Sequence, residues 1–291
     1  MKFVVDKNIP LVEKAFGSLG EVTMINTGEF SNESVREADV LVVRSETKVN
    51  KSLLEGSRVK FVGTATIGMD HIDLDYLASE GIAFSSAPRC NSNSVKEYII
   101  SALLYLSNAN DFSLQGKTIG VVGVGNVGSK VVKAAETFGM TVLQNDPPLA
   151  RKTGEKKFLP IDELMSADFL TLHVPLTRTG QDPTYHLFNS DQFNKLRQGT
   201  IFINTSRGAV VETKSLKQAI TERQLLFTVI DVWENEPNID QEILSMVTIG
   251  TPHIAGYSIE GKINAVRMVR EAFCNNFKID SSWDPIKELN P

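Results

Sequence analysis

The chain has 291 residues, 42% of them hydrophobic and 22% charged, and its 30 basic and 35 acidic residues give a formal net charge of −5. This length predicts two domains, and the composition is that of a globular protein with a core of ordinary size. The acidic balance argues against non-specific binding to nucleic acid, which requires clustered lysine and arginine.

Strand-like apolar runs alternate with helical patterns over the first 84 residues, which predicts parallel βαβ units. The runs are short and continuous, as is typical of strands that are buried on both faces. The predicted strands are residues 3–5, 22–25, 40–43, 60–62 and 82–84, and the predicted helices are residues 10–19, 51–55 and 74–79.

A largely apolar helix predicted over residues 93–108 precedes a second alternating series, and another helical pattern covers residues 258–277. The polar tail, residues 280–291, is predicted to be a linker or a truncated end. In the second series the predicted strands are residues 118–122, 141–144, 169–172, 200–203, 226–230 and 247–249, and the predicted helices are residues 127–138, 161–165, 190–196 and 214–222.

The two series predict an α/β protein with two doubly wound parallel sheets, one domain being inserted into the other. Residues 1–92 and 258–291 are predicted to form a discontinuous, flavodoxin-like substrate domain. Residues 93–257 are predicted to form the inserted domain, which has the Rossmann arrangement. A cleft between two domains is the default site for a small ligand.

Residues 121–128, with the sequence VVGVGNVG, are typical of a buried strand that turns through a glycine-rich loop into a helix. Such a loop holds a dinucleotide pyrophosphate with backbone N–H groups and the positive end of the helix dipole. Gly123 permits the tight turn, Gly125 the close approach of the ligand, and Gly128 the packing of helix on strand. Asn126 and Val127 complete the predicted cofactor-binding loop.

The next predicted strand leads into Asp146, close to the spacing of about 20 residues expected for the acidic residue that reads the adenosine ribose. Its carboxylate would accept hydrogen bonds from the ribose hydroxyls and repel a 2′-phosphate, so NAD is predicted rather than NADP. Arg151, shortly after it, keeps NADP open. The structural alternative is a glycine-rich turn followed by a solvated aspartate.

Three polar segments each follow a strand of the second series: NTSRG with Arg207, DVWENEP with Asp231 and Glu236, and TPHIAG with His253. Ligands of open parallel sheets bind beyond the carboxyl ends of the strands. A histidine accepts a proton near neutral pH, and a carboxylate stabilises the imidazolium. An arginine matches a carboxylate bidentately. Taken singly, each of these residues also has an ordinary structural explanation.

With the glycine loop and these segments, the chain resembles the D-2-hydroxyacid dehydrogenase family nearly end to end. The resemblance implies that Arg207 orients the substrate carboxylate, that His253 is the acid/base, and that Glu236 pairs with it. NAD would accept the hydride. The resemblance further places Asp146, Ser206, Asp231 and Gly256 on the cofactor side.

Substrate identity is expected to depend on the N-terminal half. Residues 43–49, 61–71 and 87–91 are similar to family members that act on a phosphorylated 2-hydroxy acid. The resemblance implies that Ser45, Thr66 and Tyr257 contact this substrate, while Arg44 and Lys48 offer positive charge to its phosphate. For Ser45 and Thr66, capping of a helix or turn is an equally good explanation.

Two other functions remain open from the sequence. One is a family member that oxidises another acid, such as D-3-phosphoglycerate, and the other is a dinucleotide-sensing corepressor on the same fold. The family members that segments 43–49 and 61–71 resemble usually carry a C-terminal dimerisation module after the last long helix. A homodimer is therefore expected, and its mode of pairing stays open.

Cysteine usage and apolar segments predict a cytoplasmic protein without a membrane partner. Cys90 and Cys274 are far apart and form no CxxC pair, which disfavours a disulfide framework or a zinc site. The N-terminus lacks the apolar stretch of a signal peptide, and no segment approaches the ~20 apolar residues of a membrane span.

Overall fold

A computed structural model describes residues 1–279 and 282–289 of the chain. The chain forms two compact units, of which the first combines residues 1–91 with the segment from Ser258 onward, and the second is Ser92–Tyr257. Each unit is built on a parallel β-sheet with helices packed against it. The predicted α/β class with two parallel sheets is therefore confirmed.

The sheet of the first unit has five parallel strands in the order β2-β1-β3-β4-β5. This is the flavodoxin-like order, in which the chain reverses direction across the sheet between β1 and β3. The strands are β1 (Lys2–Asp6), β2 (Glu21–Ile25), β3 (Val40–Val43), β4 (Phe61–Thr64) and β5 (Ala83–Ser85). The helices are α1 (Val12–Phe16), α2 (Asn32–Val35), α3 (Lys51–Leu54), α4 (Leu74–Ser79), α11 (Ile259–Phe277) and α12 (Pro285–Leu289).

The core of the first unit forms where α11 packs on the sheet. The ring centroid of Phe273 lies 5.2 Å from that of Phe3 and 5.5 Å from that of Phe61, both in edge-to-face geometry. Burial of each ring contributes about 1.5–3 kcal/mol. A Cβ at Gly63 would lie 2.3 Å from Cγ1 of Val269, so this close approach of helix to strand requires glycine.

The sheet of the second unit has six parallel strands in the order β11-β10-β9-β8-β6-β7. An isolated parallel bridge between Gln144 and Phe158 extends the sheet beyond β7. With this bridge in the place of a third strand, the order is that of the dinucleotide-binding fold. The strands are β6 (Thr118–Val122), β7 (Thr141–Asn145), β8 (Phe169–Leu172), β9 (Thr200–Asn204), β10 (Leu225–Ile230) and β11 (Ile249–Gly250).

Helices flank this second sheet, and some of them differ from the sequence prediction. The helix predicted over residues 161–165 is a 3-10 helix, Ile161–Ser166, and α2, α7 and α10 were not predicted. The segment Ser92–Tyr257 contains α5 (Ser92–Ala109), α6 (Gly128–Thr137), α7 (Pro147–Thr153), α8 (Ser190–Lys195), α9 (Thr213–Thr221) and α10 (Gln241–Met246).

The predicted linker at the C-terminus is wrong in part, because α12 lies within it. This helix is tied to α1 by Lys14, whose Nζ lies 3.2 Å from a carboxylate oxygen of Glu288. Residues 280, 281, 290 and 291 lie outside the described residues. Within residues 1–279 and 282–289, no helix is long and apolar enough to cross a membrane.

Candidate active site

The glycine-rich loop joins β6 to α6 in the second unit, and two of its glycines are required by the backbone around them. Gly123 has a φ of 86°, and a Cβ there would lie 2.7 Å from the carbonyl oxygen of His173. At Gly128, the first residue of α6, a Cβ would lie 2.0 Å from the carbonyl oxygen of Gly123. The N-terminus of α6 is therefore held tightly against the loop.

No contact within the protein requires glycine at the third position, Gly125. Gly125 is exposed, its φ is not positive, and a Cβ there would meet no protein atom within 4 Å. Asn126 beside it is exposed and Val127 is half-buried. Open space over bare backbone, next to a helix N-terminus, is what a pyrophosphate needs in order to approach closely. The loop therefore fits NAD.

Asp146 joins the glycine loop to α7. One carboxylate oxygen accepts a hydrogen bond from the N–H of Val124 at 2.8 Å, and the other accepts from the N–H of Leu149 at 3.0 Å. A carboxylate has about four acceptor positions, so two remain for ribose hydroxyls. Arg151 is paired with Asp182 on the surface, which gives its guanidinium a partner other than a 2′-phosphate.

The turn that carries Arg207 is folded by Asn204 at the end of β9. The Asn204 side-chain oxygen accepts from the N–H of Ser206 at 3.0 Å and from its hydroxyl at 2.8 Å, and the amide nitrogen donates to the Arg207 carbonyl at 3.0 Å. A Cβ at Gly208 would lie 1.9 Å from the carbonyl carbon of Trp233. The turn therefore abuts the segment that leads to Glu236.

His253 and Glu236 form a hydrogen-bonded pair, with Nδ1 of the imidazole 2.9 Å from Oε2 of the carboxylate. The other carboxylate oxygen accepts from the N–H of Trp233 at 2.5 Å. Because an ionised carboxylate can only accept, Nδ1 carries a proton. In the neutral imidazole, Nε2 therefore keeps its lone pair. An imidazole in this tautomer can take up a proton at Nε2.

The electrostatics of the pair favour the charged form of both groups. The hydrogen bond to Glu236 raises the pKa of His253 above its ordinary value despite burial, with Asp231 acting in the same direction and Arg207 against it. Burial alone would raise the pKa of Glu236, but the hydrogen bonds from His253 and from the N–H of Trp233 bring it below its usual range. The charge of Arg207 acts on the pKa values of both groups, so it lies close enough to influence the pair.

Asp231 holds the loop that carries His253. Its side chain is 1% exposed, Oδ1 accepts from the N–H of Ile254 at 2.7 Å, and Oδ2 accepts from the N–H of Ala255 at 2.9 Å. The carbonyl of Asp231 accepts from the N–H of His253 at 2.8 Å. These bonds fix His253 at a φ of 56°, which costs energy in a residue with a side chain. The sequence did not indicate this role, although a strand-end aspartate before a short loop was a usable signal.

The predicted substrate residues lie in both units. Ser45 follows β3 and Thr66 follows β4, and these two strands are neighbours in the first sheet. The Thr66 hydroxyl donates to the Gly68 carbonyl at 3.1 Å, and Arg44 lies 3.1 Å from Glu46. Gly256 and the exposed Tyr257 follow the His253 loop in the second unit. Contact of these residues with a substrate or cofactor stays a prediction.

His186 and Glu234 form a second histidine–carboxylate pair, which no short motif in the sequence indicates. Nε2 of His186 lies 2.6 Å from one oxygen of Glu234, and the other oxygen accepts from the hydroxyl of Thr213 at 2.8 Å. This pair ties three segments of the second unit together. In the part of the chain that the structure describes, no group of three or more His, Cys, Asp or Glu side chains is placed to hold a metal ion.

A fold that presents a dinucleotide-binding loop in the same unit as a proton-accepting imidazole defines an oxidoreductase that exchanges hydride with NAD. Residues 104–255 match the family model described as "D-isomer specific 2-hydroxyacid dehydrogenase, NAD binding domain". The chain belongs to the D-isomer-specific 2-hydroxyacid dehydrogenase family, and its cofactor is NAD. The family and the cofactor predicted from the sequence are thereby confirmed.

Relatives within the family are similar over nearly the whole chain. An erythronate-4-phosphate dehydrogenase of Chromohalobacter salexigens is 46% identical over 278 residues, which cover 95% of this chain and 73% of that protein. The enzyme of the same name from Bacteroides fragilis is 46% identical over 285 residues, covering 97% and 82%. Among solved structures, the NAD⁺-bound 3-phosphoglycerate dehydrogenase of Entamoeba histolytica has a TM-score of 0.81 at 26% identity, covering 96% of this chain and 95% of that one.

Proposed function

We propose that the chain oxidises 4-phospho-D-erythronate to (R)-3-hydroxy-2-oxo-4-phosphobutanoate with NAD, a step of pyridoxal 5′-phosphate (vitamin B6) biosynthesis. The observation that carries this proposal is the 46% identity, over 95% of the chain, to a relative that bears the name erythronate-4-phosphate dehydrogenase. The segments 43–49 and 61–71, which predict a phosphorylated substrate, resemble the same enzyme.

We assign the catalytic roles from the family resemblance, and the hydrogen bond between His253 and Glu236 supports the assignment. Arg207 binds the substrate carboxylate through its planar guanidinium and thereby orients C2. Nε2 of His253 takes the proton of the C2 hydroxyl as the C2–H bond breaks and the carbonyl forms. Glu236 holds Nδ1–H and stabilises the imidazolium that results. NAD, when bound, supplies the acceptor for the hydride and becomes NADH.

The cofactor would be held mainly by backbone. The open position at Gly125 admits the pyrophosphate, and the acceptor positions left on Asp146 bind the ribose hydroxyls. The remaining residues that we assign to the NAD site are Gly123, Asn126, Val127, Gly128, Ser206, Asp231 and Gly256.

Substrate selectivity is assigned to Ser45, Thr66 and Tyr257, which offer hydroxyl groups, and to the charges of Arg44 and Lys48. Ser45 and Lys48 are exposed in the first unit, so both side chains are accessible to a phosphate group. A charged oxygen that accepts bonds from such donors is recognised more strongly than a neutral one.

A substrate panel with NAD tests the proposal. We expect kcat/KM for 4-phospho-D-erythronate to exceed that for 3-phosphoglycerate and for unphosphorylated erythronate by about 100-fold, since a site built to pair polar groups rejects ligands that leave them unpaired. Equal or greater activity on 3-phosphoglycerate would support the second candidate, which the similarity to the Entamoeba enzyme favours. Absence of turnover on every acid would leave the corepressor function.

We further propose that the protein works as a homodimer in the cytoplasm. The chain has only two cysteines, which is the low usage typical of proteins in a reducing compartment. Sedimentation at micromolar concentration tests the dimer, and a single species at the monomer mass of 32.1 kDa would contradict it.

A further inference from the structure

Three hydrogen-bonded side chains connect α5 to Asp231, the aspartate that holds the His253 loop. Oη of Tyr98 lies 2.6 Å from Oγ1 of Thr251, and this hydroxyl donates to Oδ1 of Asp231, also at 2.6 Å. Tyr98 is half-buried and packs against the apolar core under the second sheet. The three residues belong to the same unit, although 153 positions separate Tyr98 from Thr251.

The direction of each hydrogen bond among these three side chains is determined. The Asp231 carboxylate can only accept, so the single proton of the Thr251 hydroxyl points to it, as do the N–H groups of Ile254 and Ala255. Toward Tyr98 the Thr251 oxygen can then only accept, and the phenol must donate. Aligned hydroxyls polarise one another, so the donation by Tyr98 strengthens the bond from Thr251 to Asp231.

Thr251 is also fixed from its backbone side, because its carbonyl accepts from Nε1 of Trp233 at 2.9 Å. Two residues later comes His253, which Asp231 holds through the N–H groups that follow it. The rotation of the Asp231 carboxylate therefore sets where the imidazole lies. Without the Thr251 hydroxyl, Oδ1 of Asp231 keeps only the N–H of Ile254.

We propose that Tyr98 and Thr251 are positioning residues for the reaction, which act through Asp231 to hold His253 against Glu236. Neither needs to touch substrate or cofactor. Their loss loosens the loop at residues 251–255 and lengthens the contact between Nδ1 of His253 and the Glu236 carboxylate. The inference rests on the proposed role of His253.

A merely structural role has a different signature. If the bond from Tyr98 only attached α5 to the sheet, its removal would lower the melting temperature and leave the chemistry unchanged. The charged groups that act on His253 are Glu236, Asp231 and Arg207. None of them is altered by substituting Tyr98 or Thr251, so a moved kinetic pKa reports a moved imidazole.

The experiment compares Tyr98→Phe, Thr251→Val and Thr251→Ser in the intact protein, with rates measured from pH 5 to pH 9. Tyr105→Phe is the matched control, because it makes the same change on the same helix at a ring that is 64% exposed. We expect kcat to fall about tenfold in Thr251→Val and about threefold in Tyr98→Phe, which are the losses typical of one hydrogen bond to a charged and to a neutral group.

The pH profile shows whether the effect reaches His253. The hydrogen bond to Glu236 raises the pKa of His253, so a lengthened contact lowers it and moves the rising limb of kcat/KM to lower pH. Thr251→Ser should restore the rising limb of the pH profile and most of kcat.

Unchanged kcat and an unchanged limb in Tyr98→Phe and Thr251→Val, together with a lower melting temperature, would overturn the inference. So would a Thr251→Ser variant no better than Thr251→Val. If Thr251→Val does not fold, the comparison of kcat and of the pH profile between Tyr98→Phe and Tyr105→Phe still tests the inference. His253→Ala is measured alongside: its retention of activity would reject the proposed catalytic role of His253, whereas its inactivity together with a normal Tyr98→Phe would reject this inference alone.

Discussion

The proton-accepting imidazole depends on residues that hold it from two directions. Glu236 fixes the tautomer from the side of Nδ1, and Asp231 fixes the backbone on which the ring stands. The buried carboxylate of Asp231 is satisfied by backbone N–H groups and a hydroxyl rather than by a cation. One aspartate thus stabilises a left-handed residue and keeps a negative charge near the imidazolium.

Replacement of Glu236 by glutamine tests this arrangement at the level of one atom. An amide does not supply the charge that raises the pKa of His253, so the pKa falls and the rising limb of kcat/KM for oxidation moves to lower pH. We expect kcat to fall at least about tenfold, because the imidazolium loses a charge-assisted hydrogen bond.

The same variant has a defined signature in stability. A histidine whose folded pKa is raised stabilises the fold fully below its unfolded pKa, and this contribution disappears as the pH rises through the folded pKa. Chemical denaturation at pH 5.5 and pH 8.5 should therefore show a smaller difference in unfolding free energy in Glu236→Gln than in the parent. An unshifted kinetic limb would contradict the pairing of His253 with Glu236.

At the level of elements, the loop between β6 and α6 contains one glycine that the fold requires and one that only a bound ligand would require. Gly128 is glycine because helix and loop backbones meet there, whereas the surroundings of Gly125 within the protein are open. The motif predicts these separate roles for the two glycines, and the backbone contact at Gly128 agrees with the packing role predicted for it.

Alanine at each position tests the distinction. Gly128→Ala forces a Cβ against the carbonyl of Gly123, and we expect a loss of about 1–3 kcal/mol of unfolding free energy together with loss of NAD binding. Gly125→Ala should melt with the parent protein yet bind NAD about tenfold more weakly, because its methyl group enters the space of the pyrophosphate. Calorimetric titration checks both, and parental affinity in Gly125→Ala would show that the pyrophosphate lies elsewhere.

Elements with local signals were predictable from the sequence, and those set by distant contacts were not. Continuous apolar runs located β3 and β8, but α7 was missed because Pro147 and Pro148 resemble a break, although proline suits the first turn of a helix capped by Asp146. The single bridge at Phe158 that replaces a strand has no sequence signal.

The site shows the same division. Arg207, Glu236 and His253 stand in short motifs that follow strands, so residue type and order predict catalytic roles for them, and the structure shows the predicted pairing of His253 with Glu236. The partners that position them could not be predicted, because Tyr98 meets Thr251 only through the packing of α5 along the sheet. The pair of His186 and Glu234 could not be predicted for the same reason, since the two residues come from separate loops.

At the scale of the whole molecule, the chain divides its tasks between two units. The glycine loop, Arg207, Glu236 and His253 all belong to Ser92–Tyr257, while Ser45 and Thr66 belong to the first unit. Because both sheets are parallel, each gathers its strand ends, with the polar residues that follow them, at one edge. The insertion therefore joins a unit that carries the redox chemistry to a unit that carries most of the proposed substrate contacts.

Deuterium transfer tests whether the chain moves a hydride from C2 of the substrate to NAD, because the label follows the hydride itself. The protein is supplied with 4-phospho-D-erythronate deuterated at C2 and with NAD, and the label is located by mass spectrometry. We expect one deuterium in the NADH for each 2-oxo acid formed, and no labelled NADH from His253→Ala although that variant still binds NAD. Label released to water, unlabelled NADH, or equal transfer by His253→Ala would contradict the account.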